Sequence, residues 1–75
     1  MIPDKTKESL DRYFREHCPP GSFTQAVLSN DLVGAILLAD SDNRAALPEI
    51  VDYVVNVAPP GSTGSRAAVI DWLGW

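Results

Sequence analysis

Seventy-five residues, 45% of them apolar and 21% charged, describe one globular domain rather than a disordered tail, with a core near the smallest size that folds unaided. The one cysteine, Cys18, excludes an internal disulfide and suits a reducing cytoplasm. The net charge of −4 falls wholly after residue 18, where Arg44 and Arg66 stand against Asp31, Asp40, Asp42, Glu49, Asp52 and Asp71, so a phosphate backbone is a poor partner and a basic protein surface a better one.

The start, Met1-Ile2-Pro3-Asp4-Lys5, lacks the apolar stretch of a signal peptide. Asp4 to His17 then reads as a helix. Leu10, Tyr13, Phe14 and His17 share one face, and Glu8–Arg12 and Asp11–Arg15 are i,i+4 pairs on the other. Pro19-Pro20-Gly21-Ser22 stops it, because proline cannot continue a helix and restricts the residue before it. Ser22 and Gln25 have the spacing of a capping box, which predicts a short helix through about Leu28. Ser29-Asn30-Asp31 can cap a further helix or lie within a continuous one; a break is the favoured reading, with Asn30 as the new cap.

Leu32 to Ala39 is apolar on nearly every side and is expected to be the central, buried element, with Ile36 in the core beside Phe14. Its alanine and leucine content favours helix over strand. No membrane role is expected of it, since the run is far too short to span a bilayer. Asp40-Ser41-Asp42-Asn43 is a turn and cap cluster. Beyond it Leu47, Ile50, Val51, Val54 and Val57 fall at helical spacing, with Glu49, Asp52 and Asn56 outward. Pro48 fits a helix that begins near Arg44 and otherwise kinks a longer one; a strand over residues 49–57 is the alternative, given the β-branched content.

A second Pro-Pro-Gly-Ser at Pro59 to Ser62 leads through a loop, read as a linker, to Ser65, which can cap a last helix. Val69, Trp72 and Leu73 make its apolar stripe. Gly74 suits its end, with Trp72 expected inside and Trp75 at the margin. The fold class expected is all-α, a compact single domain of four to five short helices around a central buried helix.

Chemical motifs are sparse. Asp40-Ser41-Asp42-Asn43 superficially matches a calcium loop, but Ala45 and Val51 stand where glycine and a bidentate glutamate are needed. His17-Cys18 supplies two zinc ligands where four are required. Gly61-Ser62-Thr63-Gly64-Ser65 has the spacing of neither a nucleophile elbow nor a phosphate loop. Ser22 with His17 as its base is better explained as a helix cap. No cofactor or metal is therefore expected. The candidate protein-binding residues are the acidic Asp40, Asp42, Glu49 and Asp52, with Trp75 and the Pro59-Pro60 loop as an apolar alternative.

Pro19-Pro20-Gly21-Ser22-Phe23, then Ala26-Val27-Leu28-Ser29-Asn30-Asp31-Leu32, Asp42-Asn43-Arg44-Ala45-Ala46-Leu47 and a tryptophan near the end together resemble short uncharacterised helical proteins encoded in phages and prophages. The resemblance implies an accessory protein in the cytoplasm of a bacterial host and carries no catalytic residues. In the last loop this chain reads Pro60-Gly61-Ser62-Thr63-Gly64, where many such proteins have tryptophan and glycine. Small acidic proteins of that setting often inhibit a host protein by occupying its surface, anti-CRISPR and other anti-defence proteins among them. The resulting expectation is a non-enzymatic protein that binds and modulates a host protein. The alternative is a helix-turn-helix accessory of transcription or nucleic acid, against which the missing basic recognition helix argues.

Overall fold

Pro3 sets the start of α1 (Asp4–Glu16), its carbonyl taking the first helical bond from the Lys7 amide. In the computed structural model, which describes residues 1–75, five more helices follow: α2 (Ser22–Leu28), α3 (Leu32–Leu38), α4 (Ser41–Ala45), α5 (Leu47–Val57) and α6 (Arg66–Leu73). There is no strand, so residues 49–57 are helical and the all-α expectation holds, with six helices in place of the four to five expected. The molecule has a radius of gyration of 11.0 Å.

The core is built on α1 and α5. Leu10, Tyr13 and Phe14 from α1 meet Ile50 and Val54 from α5, with Ala46, Leu28 and Val69 closing the cluster. The expected i,i+4 salt bridges of α1 do not form. Asp11 instead accepts from the Tyr53 hydroxyl of α5, and the lone ion pair in the chain joins the Met1 amino group to Glu49 at 2.6 Å. Lys7 lies over the Tyr53 ring, 5.8 Å from its centre, which adds a second tie between these helices.

The helix ends follow local chemistry, twice shifted by one residue from expectation. α1 stops at His17, whose φ of 56° is left-handed, and Pro19-Pro20 then leads the chain out extended. Gly21, not Ser22, takes the cap position of α2, because the extended exit from the prolines lasts one residue longer. Ser22 therefore lies inside the first turn, and Gln25 reaches back to the Pro20 carbonyl at 2.7 Å instead of closing a capping box. Asn30 is likewise not a cap: with φ of 62° it ends α2, and the Asp31 amide bonds to Ala26 O as in a Schellman turn. Asp31 caps α3, accepting from the Gly34 amide at 2.9 Å.

Ser65 caps α6 as expected, and within the expected cap cluster it is Asp40 that caps α4; they accept from the amides of Ala68 and Asn43. Pro48 falls in the first turn of α5, where no amide is missed, because the chain breaks at Ala46 between α4 and α5 rather than running as one helix. Thr6 of α1 binds Asn43 at 2.5 Å and holds the short α4 in place. Of the five apolar residues expected on one face of α5, Leu47, Ile50 and Val54 are buried, whereas Val51 and Val57 are exposed.

Two further expectations, about packing, are overturned. The central buried helix is not α3: Leu32, Val33, Leu37 and Leu38 are all exposed, Ile36 is half-buried, and only Ala35 is buried. A two-turn helix docked on α2 presents one stripe inward, and no other element covers the rest. The second Pro-Pro-Gly-Ser segment is no passive linker. Ser62 is fully buried, its own carbonyl accepts from the Tyr13 hydroxyl at 2.6 Å, and the Gly64 amide bonds to Leu28 O at 2.9 Å. Gly61 makes this turn possible with φ of 84°.

Candidate docking face

Apolar side chains at all positions of α3, from Leu32 through Leu38 with Gly34 included, leave that helix without a polar face to turn to solvent. Its capped N-terminus fixes which residues point where. Ala35 packs inward on α2, so Val33 and Leu37, one turn apart and nearly opposite, stand outward and are 71% and 78% exposed. Gly34 is required by the cap itself, since a Cβ there would lie 2.8 Å from Asp31 Cγ.

Beside this crest runs a groove of about 340 Å³. Val27 and Leu28 of α2, Leu32 and Ala35 of α3, and Val51 and Val55 of α5 line it, with Asn30, Asp31, Thr63 and Gly64 at its polar margin. Leu47 and Val54 connect it to the core. Asp31, the only charged residue in the lining, already accepts the Gly34 amide. The arrangement offers contact area without a convergent set of polar groups, which suits a protein surface better than a reacting substrate.

The candidate acidic residues are all exposed, but they are spread over separate places. Asp42 borders a shallow depression with Met1 to Asp4, and Glu49 pairs with the Met1 amino group at its side. Asp40 borders another depression with Lys5, Thr6 and Leu38 while its carboxylate caps α4. Asp52 lies one turn beyond Glu49 on α5. Trp75 is 62% exposed past the end of α6, where its amide bonds back to Ile70 O at 3.0 Å. None of the five lines the groove.

His17 and Trp72 join the C-terminal ends of α1 and α6. The imidazole stacks on the indole with centres 4.1 Å apart, its Nδ1 lies 2.6 Å from the Trp72 carbonyl oxygen, and the indole Nε1 donates to Tyr13 O at 2.7 Å. This engages His17 structurally, and Ser22 opens instead toward Gln25 and Asp40, so the two are not brought together as a catalytic pair. No three of the His, Cys, Asp and Glu side chains form a metal-ligand group. Burial pushes the Tyr13 hydroxyl up to about 12, and the hydrogen bond to the Asp11 carboxylate raises that of Tyr53.

The groove and the outward face of α3 were not foreseen among the binding residues. The available signal was a run without charge in a chain with few other helices to surround it. No helix is long and apolar enough to cross a membrane. No protein-family model matches this chain, and neither a curated protein nor a solved structure matches it.

Proposed function

We propose that this chain is a non-enzymatic docking protein, which binds a protein through the apolar face of α3 and α5 and modulates it by occupying its surface. The exposure of Leu32, Val33, Leu37 and Leu38 on a helix that buries only Ala35 carries this reading. Exposing a contiguous apolar face opposes folding and solubility, so a binding partner accounts for its presence better than stability does. Asp40, Asp42, Glu49 and Asp52 serve a subordinate role, drawing in proteins with a basic surface at longer range. In the phage-type setting implied by the sequence motif, this is the behaviour of an accessory inhibitor in the bacterial cytoplasm, with anti-CRISPR and anti-defence action as the specific case.

The experiment places a photo-crosslinking amino acid at Leu37 and, as a comparison, at Arg12 on the exposed side of α1. Irradiation in bacterial cells is expected to yield a discrete crosslinked protein from position 37 alone. Equal products from both positions, or none from position 37, would remove the docking reading.

A further inference from the structure

The α3–α5 face carries a ridge and a furrow side by side. Val33 and Leu37 form the ridge, and the groove of about 340 Å³ between α3 and α5 has room for more than one aliphatic side chain. We propose that the occupant of this face is a second copy of the same chain, related by a twofold axis, so that the α3 ridge of each copy enters the groove of the other. The proposal rests on the reading that this face docks protein.

Shape is the first support. An isologous interface must be complementary to itself, which requires a projection and a matching recess on one surface, and both are present here. Charge is the second. Each copy carries a net charge of −4, so self-association favours a face poor in carboxylates. α3 has no charged residue, Asp40, Asp42, Glu49 and Asp52 all lie outside the groove, and its one carboxylate, Asp31, is held by the Gly34 amide.

Area is the third. The exposed parts of Leu32, Val33, Leu37, Val51 and Val55 amount to on the order of 500 Å² in each copy. Two copies therefore bury roughly 1,000 Å², the lower limit for a specific interface, which predicts a dimer that dissociates on dilution. The low charge and high aliphatic content match the centre of a homodimer interface.

The test is size-exclusion chromatography with light scattering over a wide concentration range. The wild type should rise from its chain mass of 8.1 kDa toward twice that value as concentration increases. Leu37→Glu on α3 and Val55→Lys on α5 should each weaken dimerisation by more than about tenfold, because each buries an unpaired charge. Both residues are at least three-quarters exposed, so both variants should retain the wild-type helical spectrum. Trp75→Ala, remote from the groove lining, should dimerise normally. A wild type that stays at 8.1 kDa throughout overturns the proposal, and if position 37 then crosslinks to a foreign protein, the docking reading survives it. A dimer that persists in both charged variants also overturns the proposal, because another surface then holds the copies together.

Discussion

Tyr13 ties four parts of the chain together. Its ring packs edge-on against Phe14, its hydroxyl holds the Ser62 carbonyl, and its own carbonyl accepts from the His17 amide and the Trp72 indole. Tyr13→Phe keeps the ring but leaves a buried carbonyl without its donor, so we expect a loss of about 1–3 kcal/mol in urea unfolding. Alkaline unfolding gives an independent check. Folding raises the hydroxyl from its ordinary value near 10 to about 12, so between those values the unfolded chain loses the proton while the folded chain keeps it. Stability is thus complete below about pH 10 and falls by about 1.4 kcal/mol per pH unit up to about pH 12. Tyr13→Phe should flatten that fall, leaving a smaller one from Tyr53, whose bond to Asp11 is lost in the same direction. An unchanged alkaline slope would show that the Tyr13 hydroxyl is not held in this way.

At the level of elements, α3 is the segment whose existence depends most on its cap. Asp31 supplies the only side-chain cap of a seven-residue helix, and Gly34 leaves the space that the carboxylate fills. Asp31→Ala should cost about 1 kcal/mol and speed amide exchange in α3 before the rest of the molecule. Gly34→Ala, which helix propensity alone would favour by about 1 kcal/mol, should instead destabilise, since its Cβ displaces the capping carboxylate. A stabilised Gly34→Ala protein would refute the tight cap. The same segment shows what was legible in the sequence. The break before α3 was the favoured reading of Ser29-Asn30-Asp31, and a cap within Asp40-Ser41-Asp42-Asn43 and one at Ser65 were legible because short polar side chains there meet the first free amides. Assigning Asn30 and Ser22 as caps failed by one residue, because the backbone angles at Asn30 and Gly21 decide that role and residue type only biases them. The exposure of α3 was not legible. Apolar composition sets what exposure costs, whereas the elements available to cover a helix follow from the packing of the whole chain.

For the molecule as a whole, the decisive feature is that the core and the most apolar segment occupy different places. Ile50 of α5, fully buried in the cluster with the α1 side chains, is a core residue; Ile36, half-buried on α3, is not. Ile50→Ala should therefore cost about 2–5 kcal/mol and Ile36→Ala clearly less, a difference readable in paired thermal melts of dilute protein. Equal losses would return α3 to the core. The separation also fixes how the molecule responds to salt. The α3–α5 groove is lined by one carboxylate, the Asp31 cap, and by no cation, so two copies that meet there gain no ion pair and must overcome the mutual repulsion of their net charges. Salt screens that repulsion and at high concentration favours apolar burial, so the dimer fraction should hold or rise as salt increases. Capture of a basic partner by Asp40, Asp42, Glu49 and Asp52 should respond oppositely, with association slowed by salt and by conversion of all four to Asn or Gln. Light scattering across a salt series, repeated on that fourfold variant, separates the two surfaces. If salt dissolves the wild-type dimer, or if the fourfold variant loses it, charge and not the apolar face holds the copies together.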